Sequence, residues 1–294
     1  MQLQGAFTAL VTPFRNHAID EDALREHIET QINGGIDGLV PCGTTGESAT
    51  MSHDEHKRVI TICLDQTRAR VPVLAGTGSN NTREAIELTA FAKQAGADGA
   101  LLISPYYNKP TQAGIFAHYQ AVAEACSFPL VVYNVPGRTG CNILPETLAR
   151  LHHEIPEVIG VKEASGNINQ ISDVIEYCGP HFSVLAGDDF VVLPTMALGG
   201  SGVVSVLSNL LPGKMSALCS ACAASNMEQA QKLHFELAPL CRAMFLETNP
   251  IPVKTALSLM HKTHLEFRLP LVPMHPQNES RMHELLNSMG LAAD

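Results

Sequence analysis

The chain has 294 residues, 45% of them hydrophobic and 16% charged, with a formal net charge of −10. That apolar share is enough to bury a large core and excludes a disordered chain, while the acidic surplus argues against nucleic acid, which needs a basic face. No apolar run reaches the roughly 18 residues of a membrane span, and the opening MQLQGAFTALVTPF lacks a basic stretch ahead of an apolar one. A cytoplasmic protein with no membrane anchor or secretory leader is expected.

Short apolar, β-branched runs recur at 6–11, 38–41, 71–75, 100–104, 130–135, 158–164, 183–186 and 202–206. Each is short enough to be a buried parallel strand. Helical stretches lie between them. Ser52 with Glu55 three residues on reads as a capping box, Asn81 or Thr82 opens a helix that Gly96 closes, and Thr111 opens another that runs toward Cys126. This alternation predicts an α/β fold, a (β/α)8 TIM barrel, which commonly takes ~250 residues as one unit. An open doubly wound sheet alternates in the same way, but no G-x-G-x-x-G follows the first strand.

From about residue 212 the pattern turns helical, interrupted by Pro250, Pro252, Pro270, Pro273 and Pro276. The expected organisation is a barrel catalytic domain over 1–224 and a helical C-terminal extension over 225–294, read as a modest appendage. Cys219 and Cys222 form a C-x-x-C with no second pair at zinc spacing, so all eight cysteines are expected as free thiols.

In such a barrel, functional groups gather where strands run into βα loops. The run GLVPCGTTGES at 38–48 leaves a strand into glycines and hydroxyls. Its backbone N–H groups can face a carboxylate, and Thr44 and Thr45 can relay a proton. Without a P-loop lysine, nucleotide phosphate is disfavoured. The alternative is a plain turn.

Lys162 lies in the otherwise apolar strand VIGVKEAS. Burying an ammonium is costly, and desolvation favours the neutral amine that attacks carbonyls. The alternative is a lysine paired with Glu163 or with a charge on a facing strand. Tyr133, ending the preceding strand, is placed to shuttle protons beside it, or is a structural tyrosine. Arg138, in the PGRTG loop, can grip a second carboxylate, or is a surface arginine.

His53 and His56 stand at i and i+3 without a third ligand, which is weak support for a metal, and exposed or effector-binding histidines fit better. Asp188 and Asp189 lack a neighbouring histidine and read as a pair capping the next helix. Neither metal-dependent aldol chemistry nor a non-catalytic metabolite-sensing barrel fits as well as a lysine nucleophile.

Together GAFTALVTPF, GLVPCGTTGES, YYNKPTQ, YNVPGRTG, VIGVKEASG, ETNPIPVKTAL and RLPLVP resemble, nearly end to end, the dihydrodipicolinate synthase family of pyruvate-dependent class I aldolases, which also holds N-acetylneuraminate lyase. The resemblance implies that Lys162 forms an imine with pyruvate, whose carboxylate is held at Thr44 and Thr45. The enamine then attacks L-aspartate 4-semialdehyde, in the diaminopimelate route to lysine, with no cofactor and no metal.

It also implies a proton relay of Tyr133, Thr45 and Tyr107, the last reaching across from a neighbouring subunit. Substrate contacts are implied at Gly187, at the backbone of Val204, and at Arg138 for the semialdehyde carboxylate. Another family member acting on a sugar-derived keto acid stays open, since it shares the lysine and the tyrosine. Ser48, Ala49, His53, His56, Asn80, Glu84 and Tyr106 match the family's allosteric site, implying inhibition by L-lysine. The implied assembly is a homotetramer, a dimer of dimers.

Overall fold

The computed structural model describes residues 2–292. In chain order its strands are β1 (Gly5–Ala9), β2 (Gly38–Val40), β3 (Leu74–Gly76), β4 (Gly99–Ile103), β5 (Leu130–Asn134), β6 (Val158–Glu163), β7 (Ser183–Ala186) and β8 (Gly202–Ser205). They form one parallel sheet in which β1 pairs with both β2 and β8. A parallel bridge from Leu39 to Val73 joins the β2 and β3 seam, so the sheet closes into the expected barrel. All eight predicted strands are present. Pro72 has no N–H for the ladder, so regular pairing in β3 starts only at Leu74, although the Pro72 carbonyl still accepts from Leu39 N at 2.9 Å.

Eight helices follow the strands: α1 (Glu21–Asn33), α2 (His53–Thr67), α3 (Thr82–Ala95), α4 (Gln112–Cys126), α5 (Pro145–Glu154), α6 (Ile168–Cys178), α7 (Val192–Ala197) and α8 (Pro212–Ala223). The sequence's start signals hold. Both bonds of the Ser52 and Glu55 capping box form, Asn81 and Thr111 cap α3 and α4, and Gly96 ends α3 at φ 94°. Side chains alternate along each strand. Phe7, Val40, Leu74, Leu101, Val131, Leu185 and Val204 fill the barrel, while Ala6, Leu39, Ala75, Leu102 and Val132 pack outward against helices.

β6 breaks that alternation once. Leu130 pairs with Val158 but Val131 pairs with Gly160, so Ile159 is an extra residue in the ladder. Such a bulge changes which face the following side chains take. Val158 joins the outer core, whereas Lys162, two positions on from Gly160, stands beside the inward-facing Tyr133. At the bulge a Cβ on Gly160 would lie 2.6 Å from the Ser183 carbonyl oxygen, so the approach of β7 requires glycine.

Three more helices follow, α9 (Met227–Ala243), α10 (Ile251–Leu259) and α11 (Pro276–Ser288). This segment is bonded to the barrel at several points. Asn249, Lys254 and Arg268 all return to the loop after β2 or to α2. A small antiparallel pair, Phe14–Arg15 with Ala18–Ile19, is also unsignalled, because Asn16 and His17 rather than glycine take the left-handed turn positions. Among the described residues no helix is long and apolar enough to cross a membrane.

Barrel closure tolerates no side chain at Gly202, where a Cβ would meet the Gly5 carbonyl oxygen at 1.9 Å. Gly202→Ala forces β1 and β8 apart and is expected to cost at least ~1–3 kcal/mol, as overpacking does. At roughly 2–4 °C per kcal/mol for a domain of this size, thermal unfolding should show it; an unchanged Tm would refute the account.

Candidate active site

The register of β5 with β6 sets Tyr133 opposite Lys162 and Asn134 opposite Glu163. Lys162 is 5% exposed, and its Nζ lies 4.3 Å from the centroid of the Tyr133 ring. No carboxylate bonds to that amine among the described residues. Glu163 faces the other side of the sheet, where it accepts from Asn134 Nδ2 at 3.0 Å, Gln170 Nε2 at 3.2 Å and Ser165 N at 2.8 Å. The Lys162 and Glu163 pairing considered from sequence therefore does not occur.

Successive tight turns shape the loop after β2. Gly46 N donates to the Gly43 carbonyl and Glu47 N to the Thr44 carbonyl, both at 3.1 Å, while the Thr12 hydroxyl donates to the Gly46 carbonyl at 2.8 Å. Glu47 sits in the left-handed region at φ 54°. Thr45 is buried, and its hydroxyl oxygen accepts from Asn249 Nδ2 at 3.0 Å, which leaves the hydroxyl proton free to be donated. Thr44 is half-buried and lines a cavity of about 430 Å³ together with Glu47, Tyr133, Arg138 and Asn249.

Arg138 belongs to a single helical turn, Pro136–Thr139, rather than to a loop. It is exposed, and Nη2 donates to the Asn249 carbonyl at 3.1 Å. Asn249 thus touches both the Thr45 hydroxyl and the arginine. Behind the loop, Glu47 forms a buried ion pair with Lys254, whose ammonium also lies 4.5 Å from the ring of Phe14 and 5.1 Å from that of Phe267. Desolvation pushes the Lys254 pKa down, and the Glu47 carboxylate opposes the shift. Glu47, Asn249 and Lys254 escape the sequence reading. A signal for Lys254 exists, an ionisable residue inside the apolar run IPVKTALSL, the same criterion that singles out Lys162.

Six of the seven residues matched to an effector site, Ser48, Ala49, His53, His56, Glu84 and Tyr106, line the same cavity. Asn80 donates to the Tyr106 carbonyl at 3.0 Å. His56 is buried rather than exposed, with Nε2 at 2.7 Å from the Gly76 carbonyl. A carbonyl only accepts, so Nε2 carries the proton and Nδ1 is left as an acceptor. Burial holds this imidazole below its ordinary pKa. Glu84 accepts from the Ser79 hydroxyl at 2.8 Å.

The remaining candidates lie apart from that cavity wall. Val204 is fully buried inside the barrel opposite Phe7. Gly187 follows β7, where a Cβ would lie 2.5 Å from Ala164 Cβ, so glycine permits the ends of β6 and β7 to approach. Tyr107 is 90% exposed at φ 72°, and its phenol makes no hydrogen bond within the chain among the described residues. The aspartate pair divides its work. Asp188 caps the turn after β7 through Phe190 N, but Asp189 is buried and accepts instead from Val206 N at 3.1 Å and Leu207 N at 2.9 Å. Among the described residues, no group of three or more His, Cys, Asp or Glu side chains is arranged to hold a metal ion.

Comparison with known proteins gives the family of the chain. The family model described as the dihydrodipicolinate synthetase family matches residues 2–289. The 4-hydroxy-tetrahydrodipicolinate synthase of Nitratidesulfovibrio vulgaris is 64% identical over 291 residues, covering 99% of this chain and 100% of that one. A crystal structure of the chloride-inhibited dihydrodipicolinate synthase from Acinetobacter baumannii complexed with pyruvate superposes with a TM-score of 0.96 at 42% identity, covering 99% of this chain and 100% of that one. The synthase from Cyanidioschyzon merolae with lysine bound superposes with a TM-score of 0.95 at 36% identity, covering 98% of each. Matched in this way over nearly its whole length, the chain belongs to the dihydrodipicolinate synthetase family.

Proposed function

We propose that this protein is a 4-hydroxy-tetrahydrodipicolinate synthase that condenses pyruvate with L-aspartate 4-semialdehyde on Lys162. The observation that carries the reading is the Lys162 amine, buried beside the Tyr133 ring with no carboxylate bonded to it. The pyruvate-bound and lysine-bound relatives support the choice of ligands.

The chemistry runs in four steps. Lys162 Nζ attacks the keto carbon, and loss of water from the carbinolamine gives the imine. Tyr133 moves the protons this requires, with the free Thr45 hydroxyl proton and Tyr107 completing the relay. The pyruvate carboxylate rests on the Thr44 and Thr45 loop, near Gly187 and the backbone of Val204. Loss of a methyl proton gives the enamine, whose carbon attacks the aldehyde while Arg138 holds the second carboxylate. The semialdehyde's own amine then displaces Lys162 from the imine carbon, closing a six-membered ring and freeing the enzyme.

Tyr107 is 90% exposed, which suits a side chain that serves a neighbouring subunit, and with the family resemblance it supports a homo-oligomer, a tetramer built as a dimer of dimers. In this reading the barrel domain of residues 1–224 supplies the chemistry, the helices of 225–294 support it, and the protein works in the cytoplasm in the diaminopimelate route to lysine. L-Lysine binds across the cavity from the substrates. Glu84 pairs with an ammonium of the ligand, and Asn80 and Tyr106 hold its carboxylate.

Intact-mass measurement after borohydride reduction with pyruvate should show one pyruvyl adduct in the wild type and none in Lys162→Ala, with turnover of the semialdehyde in a coupled assay. No adduct in the wild type under conditions that trap a known lysine imine would overturn the proposal. Arg138→Ala should leave the pyruvate adduct intact and raise the semialdehyde KM about 10- to 100-fold, the equivalent of a lost charged hydrogen bond at ~1.5–3 kcal/mol; an unchanged KM would remove Arg138 from its role. Millimolar L-lysine should slow the synthase reaction, and Glu84→Gln should blunt the effect. Rates indifferent to lysine would discard the effector site.

A further inference from the structure

The buried pair of Glu47 and Lys254 lies outside the steps above, yet it is joined directly to the loop they depend on. Lys254 is 1% exposed and Glu47 is fully buried. Desolvating two charges takes back much of what their attraction returns, so such a pair is a poor device for stability alone. What it fixes is a backbone. Glu47 N donates to the Thr44 carbonyl, the Glu47 carbonyl accepts from Thr50 N at 3.0 Å and from the Thr50 hydroxyl at 3.1 Å, and the residue is held in the left-handed region. Turning the Glu47 side chain away from Lys254 would release the turn that presents Thr44 and Thr45. Five residues before Lys254, Asn249 grips the Thr45 hydroxyl from the same segment.

We infer that Lys254 is a positioning residue for the keto acid: through Glu47 it holds the Thr44 and Thr45 turn in the shape that receives the carboxylate. It touches no substrate. The inference rests on the reading that this turn binds pyruvate. It assigns to a C-terminal helix a part in the affinity of a site built on the opposite side of the loop. The aromatic faces of Phe14 and Phe267 keep the ammonium from water, so the pair does not exchange its partner for solvent.

The test measures the pyruvate concentration that gives half-maximal borohydride-trapped adduct in wild type, Lys254→Met and the double variant Glu47→Gln with Lys254→Met. The single variant leaves a buried carboxylate unpaired and can fail to fold; the double variant leaves no charge uncompensated. In the folded double variant the half-saturating pyruvate concentration should rise roughly tenfold, because a misplaced binding group weakens capture, while the adduct still reaches completion on Lys162 at saturation. A folded double variant with the wild-type concentration dependence would overturn the inference and reduce the pair to a structural one. Absence of any adduct in the wild type would instead bring down the pyruvate reading, and this inference with it.

Discussion

One extra residue in β6 decides where the chemistry can happen. Strand side chains alternate strictly, so without Ile159 as a bulge Lys162 would share the face of Val158, among the outer helices, and Glu163 would point into the barrel. With the bulge, the two exchange places. The amine enters the interior against Tyr133, and the carboxylate finds three neutral donors outside. The polar work on both faces of the strand follows from that slip, including the separation of Lys162 from the acid next to it in sequence. Gly160 and the close approach of Ser183 make the irregularity part of the packing.

The second constraint is long-range. The loop after β2 is a run of tight turns ending in a single 3-10 turn, Ser48–Thr50, and it is braced by contacts from either end of the chain. Thr12 reaches it from the segment after β1, and Asn249, Lys254 and Arg268 reach it or α2 from beyond the barrel. Arg268 forks onto Glu55 and holds that carboxyl down to about 2. The segment beyond the barrel therefore braces this loop, through Lys254 on α10 and through Asn249 and Arg268 in the connections beside it.

What the sequence reveals follows the range of the interactions. Runs such as LVVYN and SVLA announce buried strands because burial on both faces leaves only apolar choices, and Ser52, Asn81 and Thr111 announce helix starts because capping is local. Lys162 stands out as an ionisable residue in an apolar run, and chain order makes its strand the neighbour of the one that carries Tyr133. The bulge is invisible, since Ile159 and Gly160 are ordinary strand residues until β7 approaches. The burial of His56 and the bonding of Asp189 to the β8 end depend on neighbours far away in sequence. Asn249 carries no local signal at all.

Asn249 also has a mechanical consequence. Its amide is bonded to the Thr45 hydroxyl and its carbonyl to the Arg138 guanidinium, so a single residue is a strut between two rims of the cavity. Loops joined in this way do not breathe separately. The two bonds leave from the side-chain amide and the backbone carbonyl of the same residue, so the span between arginine and threonine is set by the dimensions of one amino acid.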